Sequence, residues 1–174
     1  KFLAHIRQVD AVAQVVRCFA DSNITHVEGG IDPLRDIEII NTELCLADLE
    51  SVEKRMERTQ KILKSGDKKA QAEMAVLTRI KEMLEQALPA RRVEMTEDEA
   101  ELVRDLNLMT LKPVLFVANI SEDEVNCPDD NQYVQMVKKY AAEEGAEVIA
   151  VSAKVESEIA ELPDEDAKEF LAEL

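Results

Sequence analysis

Two apolar stripes meeting at a Ser-Gly-Asp break constrain this chain more than any other feature. From Cys45, the residues Leu49, Val52, Met56 and Leu63 recur at steps of three and four, with Thr59 completing the row and charges on its flanks. That spacing predicts one face of a long helix. Asp32-Pro33 marks its start, because Asp caps free backbone N–H groups and Pro suits the first helical position. Ser65-Gly66-Asp67 breaks the row, and Asp67 stands where it would cap a second helix. The second row runs through Ala70, Met74, Leu77, Ile80, Leu84 and Leu88, up to Pro89. Two such helices joined by a short turn make an antiparallel hairpin. At 1.5 Å of rise per residue, 36–64 extends roughly 40 Å. An arm of that length is expected to protrude from a domain of this size.

The segments around the hairpin read differently. Phe2, Leu3, Ile6 and Val9 have helical spacing. Residues 11–19, AVAQVVRCF, form a β-branched run that reads as a strand buried on both faces, as in a parallel sheet. Asp21-Ser22-Asn23 opens a loop that Gly29-Gly30 closes. Thr96-Glu97-Asp98-Glu99 is a capping box opening a short helix to about Leu106. A second buried strand is expected at 114–118 and a third at 148–151. Between them 131–144 is an amphipathic helix with Val134, Val137 and Ala141 inward, ended by Gly145. Two short helices split by Pro163 follow. This order predicts an α/β fold, with right-handed crossovers between parallel strands and the helical hairpin inserted.

Charge and cysteine usage narrow the function classes. The 174 residues carry 37 acids against 21 Lys and Arg, a net charge of −16, which argues against a general binder of phosphate backbones. Cys18, Cys45 and Cys127 lie far apart, and neither they nor His5 and His26 form a ligand spacing. Reduced thiols, a cytoplasmic setting and no structural zinc are expected. The longest purely apolar run, 114–118, is far too short to span a bilayer, and the first residues contain no signal-peptide core. Asn23-Ile24-Thr25 and Asn119-Ile120-Ser121 fit the glycosylation sequon and read as chance matches. No spacing argues for a catalytic triad or dyad, so no catalytic residue is assigned.

Open α/β sheets bind ligands at the carboxyl ends of their strands. Three places qualify: Cys18-Phe19, Asn119-Ile120-Ser121-Glu122 and Ser152-Ala153-Lys154. An Asn carboxamide offers a donor and an acceptor, which suits a purine edge. The bland alternatives stand beside this reading. Asn119 is also a natural turn residue, Glu122 a solvated loop acid, Phe19 a core side chain, and Ser152 and Lys154 a polar turn and a surface cation. The hairpin cations Lys61, Lys64, Lys68 and Lys69 cluster near its break. They read as a solvated face or, on so acidic a chain, as an RNA contact.

Asn-x-x-acid after one strand and Ser-Ala-Lys after the next resemble the base-recognition motifs of P-loop GTPases, which carry Asn-Lys-x-Asp. Here the first is Asn119-Ile120-Ser121-Glu122, with no Lys and a longer acid. That variant, the inserted hairpin and the stretch 15–43 (VVRCFADSNITHVEGGIDPLRDIEIINTE) together resemble the Obg-like ATPase family, also called YchF, along essentially the whole chain. The resemblance implies a partial P-loop GTPase-like sheet, with 1–31 and 93–174 in the nucleotide domain and 32–92 as a coiled-coil arm. It implies binding and hydrolysis of ATP, and of GTP as well, with Mg²⁺ in the intact protein, and association with the ribosome. By the same resemblance Asn119 contacts the adenine, the backbone of Ile120 bonds the base, and Glu122 replaces the acid that reads guanine. Ser152, Ala153 and Lys154 form the second loop, and Phe19 packs on the base. The 174 residues contain no Gly-x-x-x-x-Gly-Lys-Ser/Thr phosphate loop. The chain therefore reads as the middle of a longer protein and is not expected to hydrolyse nucleotide alone. The alternative is a non-enzymatic module that docks to a protein or RNA through its arm.

Overall fold

The computed structural model describes residues 2–20, 30–63 and 66–173. The loop expected at 21–29, with His26 and the first sequon, lies outside the described residues, as do Lys64 and Ser65. The chain divides into two compact units: Lys1–Val12 with Glu38–Pro113, and Ala13–Ile37 with Val114–Leu174. In this division the first helix and residues 93–113 fall with the hairpin rather than with the sheet.

The first unit contains α1 (Phe2–Gln8), most of α2 (Pro33–Leu63), α3 (Lys68–Glu85) and α4 (Glu97–Val103). The expected caps are present. Asp32 accepts from the Arg35 N–H at 3.0 Å and Asp67 from the Ala70 N–H at 2.9 Å, and Thr96 and Glu99 bond reciprocally. Helices α2 and α3 run antiparallel, since Glu53 pairs with Lys81 while Arg55 and Thr59, further along, both reach back to Glu73. Cys45 and Val52 pack against Val76, Leu77, Ile80 and Leu84, with Val103 and Leu108 closing the core. One boundary differs from expectation. Helix α3 stops at Glu85, short of Leu88, because Ala87 takes a left-handed φ of 57°. The Leu88 N–H then reaches the Met83 carbonyl and the Ala87 N–H the Leu84 carbonyl, the paired bonds of a Schellman turn. Pro89 excludes a further helical turn.

Two buried polar clasps tie distant segments of this unit. Asp48, fully buried, accepts from the N–H groups of Met109 and Thr110 and from the Thr110 hydroxyl, at 3.0, 2.7 and 2.8 Å. The Lys112 ammonium donates to the carbonyls of Arg7 and Val9 and to the Asn107 side chain, and Asn107 donates back to the Arg7 carbonyl. These bonds satisfy carbonyls at the end of α1 that would otherwise be orphaned.

The second unit holds a sheet of β1 (Val12–Arg17), β2 (Val114–Asn119) and β3 (Glu147–Val151), with β2 central. Strands β2 and β3 are parallel, with Leu115 opposite Glu147 and Asn119 opposite Val151. The bonds from Val12 to Pro113 and from Cys18 to Asn119 step in the same direction along both chains, as parallel pairing of β1 and β2 requires. Helix α5 (Gln132–Glu143) packs Val134, Val137 and Ala141 on Val16, Cys18, Phe116, Ala118 and Ile120. Phe116 meets Tyr140 edge to face at 5.9 Å. Helices α6 (Ala153–Glu161) and α7 (Asp164–Glu173) end the unit, split at Pro163. The expectation of strands buried on both faces is corrected. Side chains alternate across a strand, and the core lies on the face of Val16 and Phe116. On the other face Val15 is 67% exposed and Ile149 44%.

Candidate functional site

Strands β2 and β3 end side by side, and this brings the two motifs together. Their last paired residues are Asn119 and Val151, so the loops 120–124 and 152–154 leave the sheet at the same edge. The Asn119 Oδ1 accepts the Ala153 N–H at 2.9 Å, which locks one motif to the other across 34 residues. With its oxygen so engaged, the carboxamide presents its NH₂ as the donor for a ligand. Ser152 is buried and serves as the N-cap of α6, accepting from Val155. Its role is to set the loop, while the Ala153 N–H is spent on Asn119.

These loops and Phe19 line a cleft of about 160 Å³, together with Ser121, Glu122 and Asp123. That is below the range of about 300–1,000 Å³ of drug-sized sites and suits a single planar ring system. Glu122 and Lys154 face each other at 2.5 Å on opposite loops, and both side chains are substantially exposed. The hydrogen bond from Lys154 to Glu122 holds the ammonium above its ordinary pKa. Glu122 is thus engaged at the mouth of the cleft. Of the Ile120 backbone, which the resemblance directs at the base, the N–H donates to the Val151 carbonyl at 2.9 Å, and the Ile120 side chain lies in the core. That N–H is not offered to a base.

Two residues that the sequence reading passed over hold the loop. Asn131 caps α5 by accepting from Tyr133 and Val134. Its NH₂ donates to the Cys18 carbonyl at 2.8 Å and to both Glu124 carboxylate oxygens at 3.0 Å. Glu124 in turn accepts the Ser121 N–H at 3.3 Å. One buried side chain thereby fixes the end of β1, which carries Phe19, and the loop that carries Glu122. An N-cap pattern, Asn before an apolar helix, was the available signal. Cys18 beneath Phe19 is buried, which with Glu124 and Asp36 nearby pushes its thiol up to about 11. It is a protonated core group.

A wider hollow adjoins the cleft, from Phe19 past Asp123 and Glu124 to Asp130. Its carboxylates do not suit a polyphosphate. Among the described residues no group of three or more His, Cys, Asp or Glu is disposed to hold a metal ion. No described helix is long and apolar enough to cross a membrane.

No family model matches the chain. It is 56% identical over all 174 residues to the ribosome-binding ATPase YchF of Bacillus subtilis, covering 48% of that protein. It is 37% identical to Obg-like ATPase 1 of Saccharomyces cerevisiae, with 99% of this chain and 45% of the yeast protein aligned. The solved structure of the Schizosaccharomyces pombe YchF GTPase matches 99% of the chain and 47% of the fungal one, with a TM-score of 0.82 and 35% identity. The resemblance read from the sequence thus holds along the whole chain: it is related to the YchF and Obg-like ATPases, and it spans about half the length of the curated relatives it matches.

Proposed function

We propose that this chain supplies the base-recognising part and the helical arm of a purine-nucleotide-hydrolysing protein of the translation apparatus. The intact protein binds ATP, accepts GTP as well, associates with the ribosome and works in the cytoplasm. The observation that carries the reading is the Asn119–Ala153 bond. It joins the Asn-x-x-Glu and Ser-Ala-Lys loops under a ring-sized cleft and leaves one amide donor free for a base. Phe19 lies at the same cleft, where its ring can stack on a base. Relatives named as ATPases and as a GTPase support the nucleotide class.

The division of labour follows from the charges. The cleft suits a base, while the neighbouring carboxylates repel phosphates, so the triphosphate is held by other residues of the intact protein. Mg²⁺ belongs with those phosphates, where it would neutralise their charge. The described residues hold no donor set for it. What these residues do is bind and select the base. Photolabelling the full-length protein with 8-azido-ATP and mapping the product by mass spectrometry tests this. Label is expected on peptides containing Phe19 or 119–124, and protected by excess ATP. Protectable label confined to other segments would defeat the assignment.

A further inference from the structure

We infer that Asn131 is a positioning residue for purine binding: its amide donor holds the two walls of the cleft, Phe19 and the loop 121–124, in place against each other. The inference rests on the reading of that cleft as the base site. Asn131 stands outside the cleft, buried at the start of α5. Capping α5 uses only its oxygen, which accepts the Tyr133 and Val134 N–H groups at 2.8 and 3.1 Å. Asp and Ser cap a helix about as well as Asn, so the cap alone does not call for an amide. What Asn adds is the NH₂ group, and that group reaches away from α5 to both walls.

The first wall is held through the backbone. Cys18 donates its N–H to the Asn119 carbonyl at 2.8 Å, and its own carbonyl accepts from the Asn131 NH₂ at 2.8 Å. The residue before Phe19 is thus fixed on both sides, and with it the direction in which the ring leaves the sheet. The second wall is held through a side chain. Both Glu124 carboxylate oxygens accept from the same NH₂ at 3.0 Å, and one of them also accepts the Ser121 N–H at 3.3 Å. Hydrogen bonds to an ionised group are roughly twice as strong as neutral ones. They close the turn 121–124, and that turn sets where Glu122 meets Lys154. A cleft of about 160 Å³ leaves its walls little room to splay, and a misplacement of about 1 Å is enough to forfeit a positioned contact.

Steady-state ATPase kinetics of the full-length protein test it. Asn131→Asp keeps the cap but sets a second carboxylate beside Glu124 and an acceptor against the Cys18 carbonyl. KM for ATP should rise about tenfold, while kcat stays within about twofold, as for a loss of binding that is uniform between substrate and transition state. Asn131→Ser also keeps a cap, without adding charge, and should raise KM in the same way. In Asn131→Asp/Glu124→Gln the new glutamine amide can donate to the new aspartate while its oxygen keeps the Ser121 N–H. That reversed pair should recover about threefold or more of the lost KM. Single variants with the KM of wild type, a double variant no better than Asn131→Asp, or a fall in kcat at unchanged KM would each overturn the inference. Asn119→Ala, measured beside them, separates the two claims. If it raises KM and neither Asn131 variant does, Asn131 only caps α5 and the base site stands. If none of the three moves KM, the cleft is not the base site and both readings fall.

Discussion

Asn119 offers a substitution that separates the two halves of its work. In Asn119→Asp the Oδ1 acceptor for the Ala153 N–H survives, but the NH₂ facing the cleft becomes a second acceptor. In Asn119→Ala both are lost. The Ala153 amide is exposed, so water replaces its partner, and that bond contributes about 0.5–1.5 kcal/mol. A base edge left unpaired in the cleft costs about 1–3 kcal/mol. At 1.4 kcal/mol per decade, either variant should raise the Kd for ATP roughly 10- to 100-fold. Titration calorimetry on the full-length protein measures that. Hydrogen exchange at the Ala153 amide supplies the control: protection should persist in Asn119→Asp and fall in Asn119→Ala. If Asn119→Asp binds ATP within twofold of wild type while Ala153 stays protected, the free amide does not touch a base, and Asn119 is only a turn residue.

Further outcomes are expected. Glu122→Ala should weaken ATP binding less than Asn119→Ala, because Glu122 lies at the mouth of the cleft engaged with Lys154; Glu122→Asp should move preference toward GTP, seen in competition titrations. Asp48→Ala leaves two buried N–H groups and a hydroxyl without an acceptor and should lower unfolding stability by about 2–4 kcal/mol in urea melts, whereas Asp48→Asn, which keeps one acceptor, should lose less. Asp105 accepts from Arg55 and its carboxyl is held below the usual range, chiefly by that bond. Its stabilisation is therefore present at neutral pH and lost as pH falls through the lowered pKa. Because Asp105 is largely exposed, the pair contributes about 0.5 kcal/mol or less, so the stability gap between wild type and Asp105→Asn should be small at pH 7 and close as pH falls through the lowered pKa. Of the three thiols, Cys127 is exposed while Cys18 and Cys45 are buried. One thiol per chain should react quickly with Ellman's reagent at pH 8, and Cys127→Ser should abolish that phase.

Local chemistry was legible wherever a residue acts on its immediate neighbours. Asp32, Asp67 and Thr96 cap the helices they precede, since a side chain reaching two or three residues ahead requires no tertiary information. The hairpin seam was equally readable, because Val52, Leu77, Ile80 and Leu84 are apolar at helical spacing and buried. Ala87 was not, since left-handed helix ends are usually signalled by glycine. The apolar runs of β1 and β3 state which side chains favour burial, not what is present to cover them, and so Val15 and Ile149 were misjudged. At the site the residue types and their proximity came from motif and strand order. The spending of the Asn119 oxygen on Ala153, and of the Ile120 N–H on Val151, depends on how two strand ends are juxtaposed. That is a tertiary fact no spacing encodes.

The Lys112 clasp has a consequence for synthesis. Helix α1 has seven residues, too few to persist in water without support. Its terminal carbonyls are satisfied by side chains that follow it by 100 to 105 residues. At about 5–20 residues per second, translation delivers Lys112 some 5–20 s after α1. Through that interval the carbonyls at the end of the nascent segment have no native donor. Phe2, Leu3 and Ile6 are then available to any chaperone that surveys chains at the exit tunnel, and a pause introduced between the codons for residues 10 and 112 would lengthen that window without altering the finished fold.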